Sequence, residues 1–95
     1  MYYFDHSATT PVQPAVLDLM NSFQSNVYGN PSSVHSLGRK ARSIIENARK
    51  QVAKSIQANT DQIIFTSGGT EANNQVLWSM VHNEKKHIIS NVIEH

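Results

Sequence analysis

The run Ile63-Ile64-Phe65-Thr66-Ser67-Gly68-Gly69-Thr70-Glu71 constrains this chain more than any other stretch. A short apolar segment reads as a strand, stops at two glycines, and is followed by apolar residues at helical spacing. The first N–H groups of a helix have no internal acceptor, and the helix dipole adds partial positive charge at the same place. Such a turn can therefore hold an anion without a cationic side chain. Glycine lets backbone approach the anion closely, and Thr70 can cap the helix and offer its hydroxyl to the same ligand. From the residues alone, the turn serves equally well as an anion site or as a plain strand-to-helix connection.

The flanking pattern extends this into a fold class. Residues 62–66 read as a strand, Thr70 to His82 as a helix with Val76, Leu77 and Met80 on its apolar side, and His87 to Ile93 as a second strand. Strand, glycine turn, helix and strand make one right-handed parallel crossover, which places the chain in the α/β class. Two parallel strands are too few for a sheet covered on both faces, so the sheet is expected to be incomplete in this chain.

Upstream, residues 2–10 read as an extended arm. Thr10-Pro11-Val12-Gln13 resembles a capping box with proline at the first helical position, and Val16, Leu17, Met20 and Phe23 then predict a helix over 12–25. Ser25 to Ser33 is dense in turn formers, and Asn30 before Pro31 is biased away from helical dihedrals, so a loop of defined shape is expected. From Ser33 to Ala58, Leu37, Ala41, Ile44, Ile45, Ala48, Val52 and Ile56 trace one apolar stripe of a long amphipathic helix. The Met and aromatic positions of the first and third helices read most simply as core.

Composition removes several function classes. The 95 residues allow one small domain at most, and 8 Lys+Arg against 7 Asp+Glu gives no excess charge for nucleic acid or an anionic membrane. Six of the basic residues, Arg39, Lys40, Arg42, Arg49, Lys50 and Lys54, do share the long helix. Glu46 lies four residues from both Arg42 and Lys50, and no aromatic residues interleave, so the pattern suits a solvated face.

Cysteine is absent, which excludes a disulfide, a thiolate metal site and a cysteine nucleophile within these residues. No pair among His6, His35, His82, His87 and His95 has the spacing of two ligands on one helical face, so no metal site is expected. The glycine turn lacks both the Walker spacing and Gly-x-Gly-x-x-Gly, which disfavours a nucleotide. Lys85-Lys86 reads as a solvated turn and not as a catalytic lysine. No apolar run is long enough to span a bilayer, and Met1 to Asp5 lacks the pattern of a secretory signal, so a cytoplasmic setting is expected.

Four motifs taken together carry a resemblance across the whole chain. They are Tyr3-Phe4-Asp5-His6-Ser7-Ala8-Thr9-Thr10-Pro11, Tyr28-Gly29-Asn30-Pro31-Ser32-Ser33-Val34-His35, Phe65-Thr66-Ser67-Gly68-Gly69-Thr70-Glu71-Ala72-Asn73-Asn74 and Glu94-His95. In this order and spacing the chain resembles the start of a cysteine desulfurase of the NifS/IscS type, in the class V aminotransferase family of fold-type-I pyridoxal 5'-phosphate enzymes. The resemblance implies an α/β fold whose amino-terminal piece this chain represents. Residues 1–32 would form an arm, a helix and a loop, and residues 33–95 the long helix and the start of the large cofactor-binding domain.

It also implies sulfur transfer from L-cysteine, leaving alanine and an enzyme persulfide that supplies sulfur for iron-sulfur clusters and tRNA thiolation. Sulfur-acceptor or scaffold proteins and a homodimer come with that function. Carried over by motif, Gly69 and Thr70 bind the cofactor phosphate, and His95 stacks on the pyridine ring and takes part in proton transfer. A flat ring that titrates near neutral pH suits that task, although the residues alone favour a strand-end histidine with no task. Asn30 and Thr9-Thr10 are given shaping roles near the entrance.

The family's Schiff-base lysine, its nucleophilic cysteine and the aspartate that partners the pyridine nitrogen belong to later motifs and do not occur here. The expectation is an amino-terminal fragment, inactive alone and ordered through self-association. A selenocysteine lyase or another lyase or aminotransferase of the same fold is the near alternative. A non-catalytic scaffold or docking module is the alternative of another class.

Overall fold

The computed structural model describes residues 1–93. It contains three α-helices, α1 (Pro14–Asn26), α2 (Ser36–Ser55) and α3 (Gly69–His82), with a short 3-10 turn at Thr60–Gln62. The chain divides into two compact units, Met1–Gln62 and Ile63–His95.

In the first unit the arm is not fully extended. Ala8 and Thr9 donate their N–H groups to the carbonyl of Asp5 at 3.1 and 3.3 Å, closing a turn. The Tyr3 hydroxyl bridges the carbonyls of Asp5 and Thr9 at 2.9 and 3.2 Å, and the His6 ring meets the Tyr3 ring edge-on at 4.9 Å.

The helix that follows begins two residues later than the capping-box pattern predicts. Pro14 occupies the first turn, and Gln13 is the N-cap with φ −61° and ψ 139° and no side-chain cap bond. The cause is local: a residue before proline is pushed out of the helical region, so Gln13 cannot belong to a helix that Pro11 starts. Pro14 then takes the first-turn position, where its missing N–H costs nothing.

Helix α2 is capped at both ends. His35 is its N-cap, with Nδ1 accepting from the Gly38 N–H at 3.2 Å, and Arg39 adds a side-chain bond to the carbonyl of Val34. At the other end Gln57 adopts φ 56°. Its N–H reaches the carbonyl of Lys54 at 3.3 Å, and the Ala58 N–H reaches that of Ala53 at 2.9 Å. This left-handed closure with its paired bonds stops the helix short of the predicted Ala58. The Thr60–Gln62 turn packs against α2 and is held by the Gln62 side chain accepting from the Asn59 N–H at 2.8 Å.

The core of this unit is small and lies on α2, where Gly38, Ala41 and Ala53 are buried. Ala41 is 6% exposed and Ala53 2%. The apolar positions of α1, Val16, Leu17, Met20 and Phe23, are exposed, and α1 and α2 do not pack on each other. The expectation that these positions form core is corrected: periodicity marks the face a helix would bury, and burial needs a second layer against it.

The second unit holds α3 and the segments that flank it. Its apolar side, Val76, Leu77 and Met80, is likewise exposed, and so is Trp78. A left-handed Glu84 (φ 54°) closes the helix, with N–H bonds from Glu84 to Val81 and from Lys85 to Met80 at 3.1 and 3.0 Å. Residues 63–66 and 87–91 carry no regular structure, and no strand occurs among the described residues. The strand-helix-strand expectation is therefore not met in this chain. A strand is defined by the ladder it shares with a neighbour, and apolar alternation without a ladder leaves only irregular backbone.

Candidate functional site

The glycine turn lies at the start of α3, in the second unit. Gly68 is the N-cap, extended at φ 170° and ψ −178°, with no side-chain cap bond. Gly69 and Thr70 are therefore the first two helical residues, and Thr70 does not cap the helix as its place in the sequence suggests. The first capping carbonyl is that of Gly68, which accepts from the Ala72 N–H at 3.1 Å. The N–H groups of Gly69, Thr70 and Glu71, and the Thr70 hydroxyl, have no acceptor or partner among the described residues. This is the ordinary helix-start surplus of donors, left open on an exposed turn.

The two glycines need explaining, because nothing among the described residues requires them. A Cβ at Gly68 or Gly69 would meet no atom of the described residues within 4 Å, and neither glycine adopts a left-handed φ. An extended φ near 180° is open to any residue. The loop before α2 and the first turn of α2 behave in the opposite way. There a Cβ on Gly29 would lie 2.6 Å from the Leu37 carbonyl carbon, and one on Gly38 would lie 2.6 Å from the Asn30 carbonyl oxygen.

The neighbours of the turn shape it. The Thr66 hydroxyl donates to the carbonyl of Gly68 at 3.2 Å. Glu71 accepts from the N–H of Ser67 at 2.7 Å and from its hydroxyl at 2.6 Å, both on Oε2. The Ser67 hydroxyl and then its N–H, by bonding the charged form, hold the Glu71 carboxyl below its ordinary value. Residue-level reading missed this pair, although an acid in the first turn of a helix is a recognisable signal.

Of the predicted site residues, the structure brings Gly69 and Thr70 together as consecutive donors. His95, with Glu94, lies outside the described residues. Asn30 and Thr9 belong to the first unit. Asn30 does shape its loop: its Oδ1 accepts from the Ser32 N–H at 2.9 Å, and its carbonyl accepts from the Ser33 N–H at 2.9 Å. The donor set at Gly69 and Thr70 suits one tetrahedral oxyanion, because backbone N–H groups, a hydroxyl and the positive end of α3 converge in sequence there.

The chain matches a family model described as Aminotransferase class-V over residues 2–95. It is similar to a Cysteine desulfurase IscS of Dictyoglomus turgidum, 46% identical over 96 residues, covering 98% of this chain and 24% of that protein. A mitochondrial cysteine desulfurase of Saccharomyces cerevisiae is 50% identical over 97 residues, covering 98% of this chain and 20% of the relative. A Selenocysteine lyase of Bos taurus is 48% identical over 86 residues, covering 90% of this chain and 20% of its own length. The chain thus spans about a quarter or less of the length of these curated relatives. Some relatives are named mitochondrial, so the similarity assigns no compartment. No helix among the described residues is long and apolar enough to cross a membrane.

Proposed function

The chain belongs to the class-V aminotransferase family, and from that premise we propose that it supplies the phosphate-binding segment of a pyridoxal phosphate-dependent cysteine desulfurase. The observation that carries the reading is the pair Gly68-Gly69, which no packing among the described residues requires and which borders three N–H groups with no acceptor among those residues. Absent side chains at these positions leave room for an external group to approach the backbone.

In this reading the N–H groups of Gly69 and Thr70 and the Thr70 hydroxyl hold the phosphate, and the N-terminus of α3 lowers the cost of its charge. When bound, the cofactor supplies the electron sink that allows the carbon-sulfur bond of cysteine to be cleaved. Fixing the phosphate is an orienting task, because a group anchored at one end presents its reactive end in one direction. His95 takes the role of ring cover and proton carrier by its place in the Glu94-His95 motif.

The segments at 63–66 and 87–93 take strand positions of the α/β fold where a sheet supplies neighbours. L-cysteine is the substrate, a sulfur-accepting protein the partner, and a homodimer the assembly that this reading includes. The selenocysteine lyase reading draws on the bovine relative and is the weaker one, because relatives named cysteine desulfurase span bacteria, plants and fungi.

Titration of the chain with pyridoxal phosphate, followed by backbone amide shifts, tests the site. The double variant Gly69→Val, Thr70→Ala removes both the open approach and the hydroxyl, and affinity is expected to fall on the order of tenfold or more. Equal binding by parent and variant overturns the assignment.

A further inference from the structure

Glu71 is arranged unlike an ordinary first-turn acid. A carboxylate three residues after the N-cap commonly reaches back to the N-cap's own N–H. Here a single oxygen, Oε2, passes over both glycines and grips the residue before them, through the Ser67 N–H at 2.7 Å and the Ser67 hydroxyl at 2.6 Å. Gly68 and Gly69 have no side chains with which to fix their own dihedrals, and glycine loses the most freedom on ordering. The bond from Thr66 to the Gly68 carbonyl and the Glu71 grip on Ser67 bracket the extended Gly68 between them. Because the carboxylate is engaged outside the helix, the N–H groups of Gly69 and Thr70 have no acceptor among the described residues.

We propose that Glu71 is a positioning residue for the phosphate site: by holding Ser67 it fixes the glycine turn while leaving the Gly69 and Thr70 donors to the ligand. The proposal rests on the reading of this turn as a phosphate site. It implies a cost as well, since a carboxylate beside a phosphate repels it.

That cost makes the two effects of Glu71 separable. Glu71→Gln keeps an acceptor oxygen and loses the charge, whereas Glu71→Ala loses both. If Glu71 acts by position, the Gln variant binds at least as tightly as the parent and the Ala variant binds on the order of tenfold more weakly. If it acts by charge alone, both variants bind more tightly, and by the same factor. Ser67→Ala adds a variant whose charge is untouched. It removes the hydroxyl half of the grip and keeps the N–H half, so it weakens binding, by less than Glu71→Ala does, if Glu71 positions the turn and leaves binding unchanged if it does not.

The measurement is a titration of the full chain with inorganic phosphate and with pyridoxal phosphate, read at the Gly69 and Thr70 amides, with hydrogen exchange followed at the Ser67 amide. Faster Ser67 exchange in Glu71→Ala, restored in Glu71→Gln, accompanies the expected split in affinity. Equal tightening in both Glu71 variants, or unchanged binding in Ser67→Ala, overturns the positioning role alone. If neither probe moves any amide of α3 in the parent, the site reading itself is overturned, and the positioning role with it.

Discussion

Two helices of this chain, α2 and α3, start with glycines in or just before the first turn, and those glycines are there for opposite reasons. In the loop before α2 and in the first turn of α2 itself, Gly29 and Gly38 are places where backbone meets backbone. A methyl group on Gly38 would sit 2.6 Å from the carbonyl oxygen of Asn30, and one on Gly29 would sit equally close to Leu37. At the start of α3, a Cβ on Gly68 or Gly69 would meet no atom of the described residues within 4 Å, and neither glycine adopts a left-handed φ. A glycine that its own fold demands is evidence about packing. One that its fold does not demand points to something outside the fold that comes close to the backbone.

The sharpest way to break this contrast is a pair of alanine substitutions. Gly38→Ala is expected to cost about 1–3 kcal/mol, because the clashing atoms are backbone carbonyls that cannot move aside as a flexible side chain would. Gly69→Ala is expected to change stability by no more than about 0.5 kcal/mol, and a small gain is natural where the new residue fits the existing dihedrals. Urea unfolding followed by helical circular dichroism reads both. The contrast fails if Gly69→Ala is as costly as Gly38→Ala. It is sharpened if Gly69→Ala leaves stability alone and weakens phosphate binding.

The first loop also holds itself together with a side chain, and that predicts an effect of middle size. Asn30→Ala removes the acceptor of the Ser32 N–H and is expected to cost about 1 kcal/mol, since an exposed bond of this kind contributes modestly. Asn30→Asp keeps the oxygen and should recover most of the loss. Thermal melts of the three proteins check this, and an Asp variant no better than the Ala variant would show that Asn30 is not acting through Oδ1.

What could be read before the structure follows the same division. The long helix was legible because its apolar stripe from Leu37 to Ile56 is a local, periodic signal; Ala41 on that stripe is buried, whereas Leu37, Val52 and Ile56 are exposed and the buried Ala53 lies off it. The start of α1 was misplaced because two prolines compete and only the conformation of Gln13 decides between them. The segments at 63–66 and 87–93 have the composition of strands, but their structure depends on neighbours that are not encoded locally. The phosphate-type turn was legible as a motif. Its Ser67–Glu71 grip was not, because a cap usually involves the N-cap residue and this bond reaches one residue further out.

The smallest expected effect concerns pH, and only the second loop should show it. Glu71 binds its proton less readily in the folded turn than in the unfolded chain, because the Ser67 hydroxyl and N–H both bond its charged form. A carboxyl lowered in this way stabilises the fold above its unfolded value and loses that contribution as pH falls through the lowered folded value. The turn before α3 should therefore be fully held at neutral pH and loosen at the acid end of the carboxylate range. The turn before α2, held by the Asn30 amide and the Gly38 approach, has no carboxyl among these bonds. Amide exchange at Ser67 and Ser32, followed across that range, gives the comparison directly. Ser67 protection is expected to fall with acid in the parent and to lose this dependence in Glu71→Gln, while Ser32 changes in neither. Glu71 is fully exposed, so solvent screens the effect and keeps it small. A parallel acid loss at both serines would mean that the helices fray as a whole and that Glu71 does not govern its turn.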